Sequence, residues 1–284
     1  MGSNITSQLR IAIQGIPGAF HEIAARSYFE SAQIEIRPCP TFEQLISITE
    51  GNGEADIAIM AIENSIAGSL MNNYRLLQES SLSITGEVFL RIRHQLLTLP
   101  GESLASLREV HSHPMAIAQC KTFFSRHPHI RLIESQDTAL SAQELSQYKI
   151  EGRGAIASKL AASNYDLHIL ASNIETNHQN YTRFLILEQL QSEPLEFNRV
   201  SLSFSVKHEV GSLLKVLSVF ESFGANLTKI QSTPIVGQKW EYLFFADFTF
   251  RSGEVLPQLL EKIKRYTTSL RLLGKYQKGN YHES

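Results

Sequence analysis

The apolar run DIAIMAI, at residues 56–62, constrains the fold more than any other segment of this chain. A run of this kind is typical of a strand buried on both faces of a parallel sheet. Before it, LRIAIQ (9–14) and IEIRP (34–38) have strand character, and each is followed by a segment with helical spacing. Thr41 opens the second of these helices. The alternation of strands and helices predicts a parallel α/β architecture.

A second set of alternating strands and helices follows an extended crossover at ITGEVFLRIRHQLLTL (84–99). We expect its helices at 115–126, 137–149 and 158–164, with the short strands EVHS, RLIES, GAIAS and LHIL around them. NYTRFLILEQ (180–189) is one more strand, and we expect it to return to the first lobe. The pattern therefore predicts two lobes, the second at about residues 90–172, with a ligand site in the cleft between them.

A different pattern begins after QSEPLEFN (191–198), a polar segment that is typical of a linker. The segments that follow it have the order β-α-β-β-α-β, the split βαβ plan of a small regulatory or binding domain. The sequence thus predicts domains at 8–190 and 199–276. This agrees with a length of 284 residues, since domains have about 150 residues each.

Charge and cysteine usage exclude several classes of function. Lys and Arg number 26 against 28 Asp and Glu, and no long run of one sign occurs, so neither nucleic acid nor an anionic membrane is an expected partner. The sequence has no signal-type or membrane-spanning apolar run, which predicts a cytoplasmic location. Cys39 and Cys120 lack metal-ligand spacing, and no histidine pair has a third ligand nearby, so we expect no metal site.

Two of the predicted strands are followed directly by residues that could bind a ligand, glycines in one case and polar side chains in the other. GIPGAF (15–20) separates a strand from a helix, where glycines let the backbone approach an anion or simply form a tight turn. Glu63, Asn64 and Ser65 follow the buried run, at the end of the strand where open α/β sheets bind ligands. The alternative interpretation is that Asn64 and Ser65 only cap the next helix.

Two further segments carry candidate residues. In SHPMAIAQC, Ser112 is either a helix cap or a ligand-binding group, and Gln119 lies among apolar helix positions, so its amide is exposed or directed at a ligand. In NYTRF, the Thr182 hydroxyl and the Arg183 guanidinium enter an apolar strand. Arginine binds carboxylates with two parallel hydrogen bonds, whereas a buried structural ion pair is the competing explanation.

Taken together, these segments and GSLLKVLSVFESFGANLTKI, in this order, resemble the prephenate dehydratase family with its C-terminal ACT domain. The resemblance covers residues 9 to 275 and matches the form without a chorismate mutase segment. It implies a two-lobed catalytic domain resembling periplasmic binding proteins and a ferredoxin-like ACT domain. It also implies a lyase that removes water and carbon dioxide from prephenate to give phenylpyruvate, without metal or cofactor, under feedback control by L-phenylalanine.

The resemblance also assigns roles to residues of this chain. Thr182 and Glu63 match the catalytic positions, with Thr182 donating to the departing hydroxyl and Glu63 as proton source. The positions that match substrate-binding residues are Asn64, Ser65, Ser112, Gln119, Arg183 and Phe184. Those that match effector-binding residues are Gly211, Ser212, Leu213, Asn226, Leu227 and Thr228.

The ACT segment departs from the family at one element. Gln231 and Thr233 stand where the family has a glutamate and an arginine, which predicts weaker phenylalanine control. Pairing of ACT domains between chains implies a homodimer or homotetramer. Two alternatives remain: an arogenate dehydratase, whose substrate has an amino group where prephenate has a keto group, and a non-catalytic cytosolic amino-acid sensor.

Overall fold

A computed structural model describes residues 8–51, 53–190, 194, 196–235, 237–250 and 253–284. They form two compact units. Unit 1 holds the described residues up to Leu70, together with Val88–Phe184 and Asn280–Ser284, and unit 2 holds Met71–Glu87 and Leu185–Gly279. The domain limits of 8–190 and 199–276 stay predictions. The predicted linker at 191–198 lies largely outside the described residues.

The fold is mixed α/β. Its strands are β1 (Leu9–Gln14), β2 (Ile34–Cys39), β3 (Ile57–Asn64), β4 (Gly68–Ser69), β5 (Ser83–Arg91), β6 (Gln95–Thr98), β7 (Glu109–Ser112), β8 (Arg131–Glu134), β9 (Arg153–Ala157), β10 (His168–Ala171), β11 (Tyr181–Glu188), β12 (Arg199–Ser205), β13 (Asn226–Pro234), β14 (Tyr242–Thr249), β15 (Ser269–Tyr276) and β16 (Tyr281–Glu283). Its α-helices are α1 (Phe20–Tyr28), α2 (Phe42–Glu50), α3 (Met71–Glu79), α4 (Pro114–Gln119), α5 (Lys121–Phe124), α6 (Thr138–Tyr148), α7 (Lys159–Asn164), α8 (Ser212–Ser222) and α9 (Leu256–Lys264). No helix of the described part is long and apolar enough to cross a membrane.

The first lobe of unit 1 is built on the predicted parallel strands. β1 pairs in parallel with both β2 and β3, so that Ile11 aligns with Ile36 on one side and with Ile57 on the other. Residues 57–62 of β3 are buried, as the apolar run predicts. The Thr41 side chain accepts a hydrogen bond from the Gln44 N–H and caps α2, which confirms that helix start.

The second lobe of unit 1 is a five-stranded sheet with the order β10-β6-β9-β7-β8. Its two faces bury separate apolar clusters, one around Leu96 and Ile156 and the other around Leu97 and Ala155. This alternation along neighbouring strands is expected when helices cover both faces of a sheet. The predicted helix at 115–126 is wrong as one element, because it is divided at Cys120, whose N–H is shared between the Ala116 and Ile117 carbonyls.

Two further strands complete unit 1. The start of β11 returns to the first lobe, where the Ser65 N–H donates to the Tyr181 carbonyl at 2.8 Å, as predicted. The sequence analysis did not identify β16. It pairs in parallel with the end of β5, and the Tyr281 ring stacks on Phe89 with ring centroids 4.8 Å apart.

Unit 2 contains the predicted β-α-β-β-α-β order, formed by β12, α8, β13, β14, α9 and β15. Its sheet has the strand order β13-β14-β12-β15, and each neighbouring pair is antiparallel. Apolar side chains of the strands, among them Leu202, Phe204 and Phe248, share a core with Val216 and Leu259 of the two helices. The alternation in RVSLSFSV (199–206) predicts a half-buried strand, which is wrong, because β12 is buried along its whole length. Leu202 and Phe204 face the core, and the hydroxyls of Ser201 and Ser203 are bonded to the side chains of Asp247 and Gln78.

Candidate active site

A cavity of about 290 Å³ lies within unit 1. Both lobes and the GIPGAF loop contribute to its wall. The lining residues are Gln14, Ala19, Phe20, His21, Phe42, Ala61, Asn64, Ala67, Leu70, Ile92, His94, His113, Met115, Ala116, Gln119, Asp137, Thr138, Thr182 and Phe184. An apolar wall with a few convergent polar groups is the usual form of a small-molecule site.

The polar groups at the cavity form a chain of hydrogen bonds. The orientation of the Asn64 amide determines which atoms of this chain donate and which accept. The Asn64 Oδ1 atom accepts hydrogen bonds from the Ile66 and Ala67 N–H groups, both at 2.9 Å. Because only an oxygen accepts from two backbone donors, the Asn64 Nδ2 atom must point the other way. It donates to Thr182 Oγ1 at 3.0 Å and to Asn180 Oδ1 at 2.7 Å. The Thr182 oxygen is thus an acceptor here, and its hydroxyl proton is available to a ligand.

The chain of hydrogen bonds continues into the second lobe, and its donors and acceptors are fixed there in the same way. Since Asn180 Oδ1 accepts, Asn180 Nδ2 is the atom that donates to Gln119 Oε1, at 2.8 Å. The His94 Nε2 atom lies 2.8 Å from that same Gln119 oxygen and must be its protonated ring nitrogen. With its oxygen held by two donors, Gln119 has its Nε2 group left to donate. Within the described residues no acceptor takes that group, and Gln119 lines the cavity.

Two histidines in the wall are neutral. Desolvation by burial lowers the pKa of His94, and its Nδ1 atom is buried with no hydrogen-bond partner among the described residues. The Glu175 carboxylate accepts the His94 backbone N–H at 2.9 Å and fixes the main chain there. Desolvation also lowers the pKa of His21 to about 3, and His21 Nε2 accepts the Ala61 N–H at 3.4 Å. Neither ring therefore supplies a positive charge at neutral pH.

The GIPGAF loop is held by α1 and α7. The Gly18 N–H donates to the buried Glu22 carboxylate at 2.7 Å, and the Gly18 carbonyl accepts the Ser158 hydroxyl at 2.6 Å. Gly18 has a φ of +94°, and a Cβ at this position would lie 2.8 Å from the Ala161 Cα atom. Both observations require glycine at this position.

The cavity offers neutral donors rather than cations. No lysine or arginine is among its lining residues in the described part of the chain. α1 has no side-chain cap, so the first N–H groups of the helix, at Phe20 and His21 in the wall, are free for an anion. The start of α6 is different, because Asp137 caps it. Desolvation raises the pKa of this carboxyl.

Four of the eight predicted catalytic and substrate-binding residues line the cavity: Asn64, Gln119, Thr182 and Phe184. Ser65 lies beside them but supports the start of β11, because its hydroxyl donates to the Gln179 carbonyl and accepts the Tyr181 N–H. Glu63 pairs with Ser69 in the β3-β4 hairpin and is not a lining residue. Its role as proton source stays a prediction.

Two predicted substrate-binding residues are not among the residues that line the cavity. Ser112 is fully buried, and its hydroxyl donates to the Ile156 carbonyl at 2.7 Å, so it ties β7 to β9 instead of facing the cavity. Side chains alternate along β11. Thr182 and Phe184 face the cavity, which turns the buried Arg183 between them to the opposite face of the strand. The roles of Ser112 and Arg183 in substrate binding stay predictions.

Sequence reasoning missed three wall residues, His21, His94 and Asp137, and also Asn180, which joins Asn64 to Gln119 by hydrogen bonds. Asn180 opens the NYTRF segment, and a buried asparagine beside a candidate threonine could have drawn attention to it. Asp137 precedes a helical segment and carries a recognisable N-cap signal. His21 and His94 gave no local signal that separates a wall residue from an ordinary core histidine. The described residues contain no group of three potential metal ligands.

The predicted effector residues lie at two places in unit 2. Gly211, with a φ of +79°, precedes α8 and gives it no side-chain cap, and Ser212 begins the helix. Leu213 and Leu227 pack against the core of the unit. Asn226 is exposed at the start of β13. The Thr228 hydroxyl is already used inside the unit, where it donates to the Asp247 carbonyl at 3.1 Å.

Comparison with known proteins gives a consistent family. The profile described as prephenate dehydratase matches residues 11–192. The bifunctional chorismate mutase/prephenate dehydratase of Aquifex aeolicus (strain VF5) is 33% identical over 282 residues, which cover 99% of this chain and 76% of the relative. Arogenate dehydratase/prephenate dehydratase 2 (chloroplastic) of Arabidopsis thaliana is 36% identical over 285 residues, covering 95% and 73% respectively.

Solved structures share the fold. Prephenate dehydratase from Arthrobacter aurescens, in complex with L-Phe, matches with a TM-score of 0.87 at 26% identity, covering 95% of this chain and 90% of that one. A protein described as GqqA, a novel type of quorum quenching acylase, matches with a TM-score of 0.86 at 32% identity, covering 95% and 98%.

Proposed function

This chain belongs to the prephenate dehydratase family, and we propose that its cavity converts prephenate to phenylpyruvate with Thr182 as the catalytic donor. The observation that supports this most directly is the hydrogen bond from Asn64 Nδ2 to Thr182 Oγ1. It leaves the threonine proton free for the substrate. The family reaction needs such a donor where the substrate hydroxyl departs.

The reaction breaks two bonds in the substrate ring. The bond from the ring to its carboxylate breaks and releases carbon dioxide, its electron pair makes the ring aromatic, and the bond to the ring hydroxyl breaks. The departing hydroxide then takes a proton to become water. Thr182 donates its proton to that oxygen, and the Asn64 amide stabilises the negative charge that develops on Thr182 Oγ1. A proton from solvent water then restores the Thr182 hydroxyl. A neutral donor of this kind adds no ground-state charge to the cavity.

Neutral donors also suit the two substrate carboxylates. The free amide of Gln119 and the uncapped N–H groups at the start of α1 are the donors that the wall provides. The Phe184 ring, in contact with the edge of His21 at a centroid distance of 4.9 Å, supplies an apolar surface for the ring. These groups together bind the charged ends and the ring of the substrate.

An acyl transfer of the kind named for GqqA is less well supported. The hydroxyls that line the cavity, in the described part of the chain, belong to Thr138 and Thr182. An activated nucleophile needs a base that accepts its proton. Within the described residues neither hydroxyl has a hydrogen bond to a base, and the Thr182 oxygen accepts from the Asn64 amide.

Unit 2 is the site we propose for control by phenylalanine. The uncapped start of α8 at Gly211 and Ser212 presents backbone donors to a carboxylate, and Asn226 is exposed for the polar end of the ligand. Leu213 and Leu227 provide the neighbouring apolar surface. We interpret residues 199–276 of this unit as an ACT domain and expect this domain to pair between chains in a dimer or tetramer. The cytoplasmic location stays a prediction.

The test of the catalytic proposal is turnover by the purified full chain, followed by the absorbance of phenylpyruvate. Thr182→Val removes the hydroxyl and keeps the branched shape, so kcat should fall by at least about a hundredfold. Thr182→Ser keeps the hydroxyl and should retain most of the rate. Equal kcat for Thr182→Val and the natural protein would contradict the proposal, provided that both melt at similar temperatures.

A further inference from the structure

Asp137 is the carboxylate that lines the cavity within the described residues. Its Oδ1 atom caps α6, since it accepts the Ala139 N–H at 2.8 Å and the Leu140 N–H at 3.0 Å. Its Oδ2 atom accepts no hydrogen bond from a described residue. Oδ2 faces the GIPGAF loop, where a Cβ placed on Gly15 would lie 3.3 Å from it. Glycine at position 15 therefore leaves space in front of this oxygen.

The surroundings of Asp137 do not neutralise it. The titratable side chains that act on it electrostatically are His113 at the start of α4 and Tyr165 after α7. Neither is a permanent cation, and His113 uses its Nδ1 atom to accept the Met115 N–H. No lysine or arginine lines the cavity in the described ranges. A free carboxylate oxygen thus faces a cavity whose ligand, by the proposed function, is itself anionic.

The two candidate substrates meet this oxygen differently. Prephenate has a keto group beside its side-chain carboxylate, and a keto oxygen is an acceptor that cannot bond to another acceptor. Arogenate has an ammonium group at that position, with three N–H donors and a positive charge. A charge-assisted hydrogen bond between ammonium and carboxylate is stronger than a neutral one.

We infer that Asp137 is a specificity-determining residue, which binds a primary ammonium beside the substrate carboxylate and so raises the use of arogenate relative to prephenate. This inference rests on the proposed function. Helix capping uses Oδ1 and leaves Oδ2 on a residue of the cavity wall, where a bound ligand can reach it. Placement of the substrate follows from it, with the ring hydroxyl toward Thr182 and the side chain toward α6.

Asparagine and serine separate the two roles of Asp137. Both are good helix caps, so Asp137→Asn and Asp137→Ser keep α6 capped while they remove the charge. The measurement is kcat/KM of the full chain for prephenate and for arogenate, as phenylpyruvate and phenylalanine formed. We expect the ratio of arogenate to prephenate to fall at least tenfold in both variants, through a higher KM for arogenate.

The kcat/KM for prephenate should rise in these variants, because a repulsive charge is removed from the cavity wall. A ratio that changes less than twofold, in variants that melt like the natural protein, would overturn the role of Asp137 and leave the proposed function intact. A natural protein that consumes neither substrate would overturn the proposed function and this inference with it.

Discussion

The direction of one side-chain amide determines what the site residues can donate. Asn64 Oδ1 is held by two backbone N–H groups of the turn that follows β3, and this turn lies in sequence next to the amide itself. The rest follows by hydrogen-bond complementarity. Asn180 accepts from Asn64 and donates to Gln119 Oε1, so the Gln119 Nε2 group is left to donate to a ligand. Thr182 is left as an acceptor toward the protein and a donor toward the cavity.

Asn64→Asp reverses this polarity at one atom. The new carboxylate still accepts from the turn, but its second oxygen faces Thr182 Oγ1, and the threonine would donate its proton to that oxygen instead of to the substrate. We expect kcat to fall at least about a hundredfold. The melting temperature should fall as well, because the new oxygen replaces the donor that bonds to Asn180 Oδ1. Steady-state kinetics on prephenate measures this.

The matched control is Asn177→Asp, since Asn177 is exposed and its Oδ1 atom likewise accepts a backbone N–H, that of Gln179. It lies outside the cavity wall. Activity should stay within twofold of the natural protein. Similar losses in both variants would mean that the added charge, and not the bond to Thr182, reduces the rate.

His21 makes stability depend on pH. Its pKa is lowered by desolvation to about 3 in the folded chain, against 6.5 as the ordinary value. In the unfolded chain His21 therefore binds a proton below pH 6.5, whereas in the folded chain it binds that proton only when the pH falls to about 3. This contribution to stability is fully present above pH 6.5 and is lost as the pH falls toward 3.

We expect His21→Phe to reduce the fall in melting temperature between about pH 7 and pH 4.5, because phenylalanine fits among the same rings and does not titrate. Some dependence should persist, since the pKa of His94 is lowered too. His168→Gln, at an exposed histidine, serves as control and should leave the dependence unchanged. An unaltered slope in His21→Phe would show that the imidazole is solvated in the folded chain.

At the scale of elements, short loops between strand and helix shape the cavity wall. The GIPGAF loop connects β1 to α1 and is held against the second lobe by the Ser158 hydroxyl at Gly18 and by the Tyr165 hydroxyl, which donates to the Pro17 carbonyl at 2.6 Å. Because Gly18 has no side chain, the loop backbone can approach Ala161 of α7 closely. Packing of loop backbone against helix backbone leaves no room for a side chain.

Gly18→Ala tests this contact against a matched glycine. Gly18 and Gly68 both have a positive φ, of +94° and +82°, so alanine costs roughly 1–2 kcal/mol of backbone strain at each. At Gly68 a Cβ would meet nothing within 4 Å. At Gly18 it would overlap Ala161, which adds about 1–3 kcal/mol. Denaturant unfolding should rank Gly18→Ala as clearly less stable, and equal losses would contradict the close packing.

At the scale of the molecule, unit 1 includes residues 280–284, which follow unit 2 in the sequence. β16 pairs with β5 after nearly all of unit 2 has been built. Glu283 forms ion pairs with Arg91 and Arg93, and the Ser284 hydroxyl accepts the Arg93 N–H at 3.0 Å. The chain then continues from Arg93 into His94, a residue of the cavity wall. The end of the sequence thus supports the strand that leads into the site.

Removal of residues 280–284 should therefore lower both the melting temperature and kcat/KM for prephenate, the latter at least about fivefold, because β5 loses its parallel partner beside the cavity wall. Thermal melting and steady-state kinetics on the shortened chain measure this. Tyr281→Phe keeps the ring that stacks on Phe89 and should behave as the natural protein. A shortened chain with full activity would show that β16 is dispensable.

The sequence by itself determined the kind and order of most elements and the strand ends that carry the chemistry, although it missed β16 and joined α4 to α5. Periodicity is a local property, so the buried run of β3, the cap at Thr41 and the split βαβ order were all predicted correctly. The family motifs also led to Asn64, Gln119, Thr182 and Phe184, which line the cavity.

Only the tertiary structure decided which way the side chains face and what they contact. Thr182 and Arg183 are neighbours in the chain, yet strand alternation turns one into the cavity and the other away from it. The hydrogen bonds that join His94, Gln119 and Asn180 link residues far apart in sequence. Such contacts exist only after the two lobes have folded, because no local pattern encodes the partner of a buried amide.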